Sequence, residues 1–108
     1  MQYYPFDSRN ILYREKIGAL AEGETLRLSL ILHNDACVYS AYLQIRRDDE
    51  QDFSEVYLTS GEPLENYRYY NCEVTLGTGL YWYRFRYTSL YGEFFVTRQG
   101  ESLGVVSS

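Results

Sequence analysis

Apolar and polar residues alternate most regularly at Leu26, Leu28, Leu30 and Leu32, with Arg27 and Ser29 between them, and again at Ala41, Leu43 and Ile45, with Tyr42, Gln44 and Arg46 between. A period of two marks strands with one face toward a core and one toward solvent. Turn-forming clusters recur at Glu22-Gly23-Glu24, His33-Asn34-Asp35, Asp48-Asp49-Glu50-Gln51-Asp52, Ser60-Gly61-Glu62-Pro63, Gly77-Thr78-Gly79, Tyr91-Gly92 and Gln99-Gly100. Between them the pattern predicts strands at 12–17, 25–32, 38–46, 55–58, 68–76, 80–88 and 93–98. No apolar stripe of helical period lasts three turns, so no long helix is predicted. Short strands separated by regular turns read as a β-sandwich or a small barrel.

The stretch 68–88 reads as a hairpin around Gly77-Thr78-Gly79. Directly paired residues must share a face, which a loop of two or four residues allows. Tyr70, Cys72, Val74 and Leu76 then point inward with Tyr81, Tyr83, Phe85 and Tyr87. Tyr69, Asn71 and Glu73 point outward with Trp82, Arg84 and Arg86. The four-residue loop sets Glu73 opposite Arg84, an exposed ion pair worth at most about 1 kcal/mol.

Length bounds what such a fold can do. The 108 residues make one domain, too few for a catalytic β/α barrel or a two-halved dinucleotide fold. The 18% aromatic share, 13 of the residues being Tyr, suits pleated half-buried surfaces. A net charge of −5 repels nucleic acid and anionic membranes. The first residues lack the pattern of a signal peptide and no run is apolar enough for a membrane helix, so a cytoplasmic protein is expected, or a secreted one if a leader was removed. Cys37 and Cys72 lie in no metal-ligand or CxxC spacing; they read as two buried free thiols that could form at most one bridge.

Catalytic chemistry finds few footholds. His33, the only histidine, sits in a turn and reads as a solvated turn residue. Asp48, Asp49, Glu50 and Asp52 lack the glycine and terminal glutamate of a calcium loop, and follow Arg46-Arg47 as a mutually neutralising strand end. No phosphate-cradling glycine loop or zinc-protease motif occurs. Neither the Glu22/Glu24 pair nor Glu73 is placed to hold a raised pKa for glycoside chemistry. No catalytic residue, metal ligand or cofactor site is therefore expected. The remaining signal is the outer face of Trp82, Arg84, Arg86, Tyr69 and Asn71. Such a face can stack sugar rings, or it can be covered by another domain, since Trp, Tyr and Arg are also enriched at protein interfaces.

Several stretches together resemble one family. Phe6-Asp7-Ser8-Arg9, the run from Ile17 to Thr25, Leu43 through Asp48, and above all Gly79-Leu80-Tyr81-Trp82-Tyr83-Arg84-Phe85 resemble the N-terminal immunoglobulin-like β-sandwich of bacterial amylase-type glycosidases, glycoside hydrolase family 13. The resemblance covers nearly the whole chain and implies an antiparallel sandwich of about seven strands over 1–104, with 105–108 opening a linker toward a downstream catalytic domain. It implies a non-catalytic accessory domain of an α-glucan-acting enzyme, which packs on the catalytic barrel and shapes substrate access or dimerisation. A glucan-binding module stacking sugar on Trp82 is one alternative, and a free-standing protein-interaction module is another. The strand motif carries over with Tyr81, Tyr83 and Phe85 inside and Trp82 outside. Dedicated starch-binding modules offer two or more grooved aromatics where this sequence offers one exposed Trp.

Overall fold

A computed structural model of the chain describes residues 2–10, 12–14, 19–96 and 102–106. Among them are nine strands: β1 (Leu20–Ala21), β2 (Thr25–His33), β3 (Val38–Arg47), β4 (Ser54–Tyr57), β5 (Thr59–Leu64), β6 (Tyr67–Thr75), β7 (Gly79–Ser89), β8 (Gly92–Val96) and β9 (Ser102–Val106). They form two layers. The smaller sheet has the order β2-β6-β5, and the larger has the order β1-β9-β7-β3-β4, with β8 beside the far half of β7. Every pairing is antiparallel except β1 with β9. The fold is the all-β, immunoglobulin-like sandwich expected.

The alternating positions build the core. Leu26, Leu28, Leu30 and Leu32 of β2 join Cys72 and Val74 of β6, while Ala41, Leu43, Ile45, Tyr81, Tyr83 and Phe85 come from β3 and β7. Leu20, Leu103 and Val105 extend it at the β1–β9 side. Leu28 and Leu43 are wholly buried, and each such side chain contributes about 1.5–3 kcal/mol by leaving water.

The N-terminal segment closes the open side. Ser29 and Ile31 donate their backbone N–H groups to the carbonyls of Tyr13 (2.7 Å) and Pro5 (3.0 Å), so Pro5 and Tyr13 lie along the free edge of β2. The Phe6 ring meanwhile packs against Tyr13 of that segment and Tyr83 and Phe85 of the larger sheet. One aromatic side chain thus bridges both layers. This cover also buries Ser29, expected on a wet face, and its hydroxyl donates to Asn71 Oδ1.

Several expectations change. Residues 68–88 do not form a hairpin: β6 pairs with β2 and β5, β7 pairs with β3, β8 and β9, and Gly77-Thr78-Gly79 carries the chain from one sheet to the other. Glu22 holds that crossing by accepting from the Thr78 hydroxyl, and Arg47 donates to the Thr78 carbonyl. Gly79 enters β7 at φ 152°, with Arg47 Nε 3.0 Å from where a Cβ would stand, a conformation that favours glycine. Glu73 therefore lies opposite Arg27, not Arg84.

The strand list also grows. The Ser60-Gly61-Glu62-Pro63 turn signal lies inside β5, an edge strand whose register shifts between Ser60 and Pro63, and edges tolerate Gly and Pro. Val105 and Val106, expected to open a linker, end β9, with Val105 buried. Of the first expected strand, only Arg14 makes a bridge, to Leu28, and 15–17 lie outside the described residues, as do 97–98 of the last. Finally, Cys37 is exposed, in left-handed conformation (φ 50°) after the 3-10 turn Asn34–Ala36, whereas Cys72 is buried. His33 accepts the Asp35 N–H in that turn.

Two outcomes follow from this packing. Phe6→Ala should lower unfolding free energy by about 3–5 kcal/mol, read as a lower urea midpoint with a nearly unchanged slope; an unaltered midpoint would show that the segment is not part of the cooperative fold. Burial pushes the Cys72 thiol up to about 12, leaving little thiolate to react at mildly alkaline pH. Iodoacetamide should therefore label Cys37 in the native chain and Cys72 only after denaturation, as peptide mass mapping will resolve.

Candidate functional site

On the larger sheet, residues of β3 and β7 that do not face the core point to the opposite side: Tyr42, Gln44 and Arg46 from β3, Trp82, Arg84 and Arg86 from β7. Register places Arg46 opposite Trp82, Gln44 opposite Arg84 and Tyr42 opposite Arg86. Glu55 and Tyr57 of β4 flank this face beside Gln44 and Tyr42, and Phe95 of β8 flanks it beside Arg86. Phe53, just before β4, completes the row.

Polar groups interlock across the strands. Arg84 Nε donates to Gln44 Oε1 (2.6 Å), and Gln44 Nε2 donates to Glu55 Oε2 (2.9 Å). Arg86 donates to Glu55 through Nε (3.0 Å) and to Glu93 through Nη1 (3.0 Å). Two carboxylates from strands on opposite sides of β7 and β3 thus converge on one guanidinium. Hydrogen bonds from Arg86 first, and from Gln44 second, hold the Glu55 carboxyl below the ordinary glutamate value.

Aromatic rings stack onto the same arginines. Arg84 lies 4.4 Å from the centroid of Phe53 and 5.2 Å from that of Phe95. Arg46 lies 5.6 Å from the same Phe53 ring, and Arg86 lies 4.6 Å from Tyr42. Such contacts contribute about 0.5–1 kcal/mol each at exposed sites. They hold flexible side chains flat against the sheet, while Phe95 remains 50% and Tyr57 58% exposed. Trp82 is half-buried, and its indole N–H donates to Asp48 Oδ1 at 2.7 Å.

The five residues predicted on one face are therefore divided between two. Trp82, Arg84 and Arg86 share the outer face of the larger sheet. Tyr69 and Asn71 belong to the smaller sheet, beside Ile31 and Ser29, because β6 and β7 are in different layers. Asn71 is held there by Ser29, and the nearby Tyr67 meets Tyr3 edge-on at 5.3 Å. The residues that join Trp82, Arg84 and Arg86 instead are Gln44, Tyr42, Glu55, Phe53 and Phe95. The alternation of 38–46 already puts Tyr42, Gln44 and Arg46 outward, but which strand lies beside them is a long-range pairing that periodicity does not encode.

The acidic turn after β3 is also spent locally. Glu50 Oε1 accepts the Arg47 N–H, its carbonyl accepts Arg46 Nη1, and Asp49 lies 3.7 Å from Arg47 Nε. A separate cavity of 390 Å³ opens between the layers, lined by Ile45, Val56, Val74, Leu76 and Tyr81 with Arg47 and Glu73 at polar positions. Ser54 also lines it, and among the described residues its hydroxyl makes no hydrogen bond to a base.

The lowered Glu55 carboxyl carries a pH signature. A folded-state pKa below the unfolded value stabilises the fold above the unfolded value, and that contribution disappears as pH falls through the folded value. Glu55 is 39% exposed, so screening limits its contribution to about 1 kcal/mol or less. Glu55→Gln should therefore reduce stability at neutral pH and match the parent chain in acid below the glutamate range, as paired urea titrations at the two pH values will show.

Comparison with known proteins returns a likeness of fold. No family model matches the chain, and no curated protein matches it. Among solved structures it is similar to part of a cyclomaltodextrinase, with a TM-score of 0.60 and 20% identity over 77% of this chain. The matched part is 14% of the cyclomaltodextrinase chain, so what the two share is a β-sandwich that, in the enzyme, is a small portion of a larger polypeptide.

Proposed function

We propose that this chain is a non-catalytic accessory domain of an α-glucan-acting, amylase-type glycoside hydrolase, and that the outer face of β4-β3-β7-β8 packs on the catalytic barrel and shapes substrate access or dimerisation. The observation that carries the reading is the fold shared with a small part of a cyclomaltodextrinase. It agrees with the resemblance of 79–85 to the N-terminal sandwich of amylase-type glycosidases. The face itself supports docking: exposed Phe95 and Tyr57 surround stacked, interlocked arginines, the residue types favoured at protein interfaces.

Glucan binding is the second reading, and the geometry favours it less. Stacking needs an open aromatic plane with polar groups free for hydroxyls. The Trp82 N–H is committed to Asp48, Arg86 is held by two carboxylates, and Tyr69 and Asn71 lie on the other layer.

Two measurements test these readings. The complete gene product should release reducing sugar from malto-oligosaccharides or cyclomaltodextrins, and removing 1–106 should leave hydrolysis of a small aryl glucoside while lowering the melting temperature; a gene product without glucan hydrolysis overturns the accessory-domain reading. For the isolated chain, amide NMR with millimolar maltoheptaose should show no saturable shift. Saturable shifts centred on Trp82 and Arg84 would instead favour the glucan-binding module.

A further inference from the structure

Arg46 and Arg84 differ from Arg86, the third arginine of their face. Both guanidinium groups lie over the one Phe53 ring. Neither has a carboxylate within salt-bridge distance among the described residues: Arg84 donates Nε to the neutral Gln44 amide, and Arg46 donates Nη1 to the Glu50 carbonyl. Arg86, one step along β7, takes both Glu55 and Glu93. Gln44 spends its own N–H on Glu55, so an amide separates that carboxylate from Arg84.

Two cations over one ring, with no carboxylate at salt-bridge distance among the described residues, are conspicuous in a chain of 15 acidic and 10 basic residues. Their mutual repulsion is tolerated in water and through the negative face of the shared ring, but it leaves an electrostatic demand at the surface. A guanidinium fork meets that demand best with a planar carboxylate, bound through two parallel N–H···O bonds. Arg84 keeps both Nη groups for such a bond, and the Phe53 and Phe95 rings hold its plane.

We propose that Arg46 and Arg84 form a binding site for carboxylates presented by an acidic protein surface, with Phe53, Phe95 and Tyr57 supplying the apolar contact around it. This rests on the docking reading of the face and adds the chemistry of its partner: the opposing surface carries Asp or Glu side chains set to meet this pair. A polyphosphate backbone fits less well, because a continuous row of negative charge laid along this face would also meet Glu55 and Glu93 at the neighbouring Arg86 and Asp48 at Trp82. Separate carboxylates on a folded surface can be spaced to avoid them.

The test uses the isolated chain and an acetylated, amidated Glu-Gly-Ser-Gly-Glu peptide at low ionic strength, whose two carboxylates are spaced apart as on a folded surface. The Arg46 and Arg84 side-chain N–H resonances should shift saturably, and Arg46→Gln with Arg84→Gln should weaken binding about tenfold or more. Arg9→Gln, on an exposed N-terminal residue remote from this sheet face, should leave it unchanged. Arg84→Lys preserves charge and removes the fork; it should bind more weakly than the parent and keeps the test decisive if the double substitution unfolds. Absence of shifts at these two side chains, or equal binding by the double variant, overturns the site. Equal or tighter saturation by inorganic phosphate or by an oligonucleotide overturns the carboxylate assignment. Either failure leaves the accessory-domain reading standing, since that reading is decided by the activity of the complete gene product.

Discussion

The pairing of β3 with β7 is the constraint from which the rest of the larger sheet follows. Ala41, Leu43 and Ile45 lie opposite Tyr87, Phe85 and Tyr83, and all are buried except Tyr87, which packs half-buried against the core. A one-residue slip of β7 would bring Trp82, Arg84 and Arg86 into the core, and burying unpaired charge costs far more than any surface contact returns. The apolar row therefore sets the register. With the register set, the outward arrangement of Tyr42, Gln44, Arg46, Trp82, Arg84 and Arg86 has one solution.

What stands on that outward face is an ordered layer of polar and aromatic side chains. The chain of donors from Arg84 through Gln44 to Glu55, and from Arg86 to Glu55 and Glu93, ties four strands together. Each exposed link contributes little in water, but a network over flat rings restricts rotamers that would otherwise be lost on contact with a partner. The face is preorganised in this sense, which suits docking.

The margins of the sandwich are managed differently on its two sides. Pro5 and Tyr13 cover the free edge of β2 by accepting hydrogen bonds from Ile31 and Ser29, and Phe6 bridges to the other layer. The β4 and β5 strands follow each other at opposite layers, joined by buried Leu58, whose N–H donates to the Ala41 carbonyl. Pro63 and the register shift in β5 blunt its edge. Small domains bury a modest share of their surface, so a single bridging ring such as Phe6 counts heavily in this fold.

Local chemistry in the chain specified much of this. Alternation at 26–32 and 41–46 specified strands and their buried faces, because the pleat has period two irrespective of neighbours. The inward placement of Tyr81, Tyr83 and Phe85 was legible for the same reason, and the turn at His33 from its turn-forming residues. Ser29 was not, because it is the N-terminal segment, distant in sequence, that removes it from water. Nor was the fate of Gly77-Thr78-Gly79: a glycine-rich break permits both a hairpin and a crossing between sheets, and the choice depends on whether β6 gains more from β2 or from β7. That choice separated Tyr69 and Asn71 from Trp82 and brought Gln44, Glu55, Phe53 and Phe95 to Arg84 and Arg86. Which residues share a strand face follows from the order of amino acids, whereas which strands share a sheet, and so which residues meet, is decided only when the long-range burial of both layers is satisfied together.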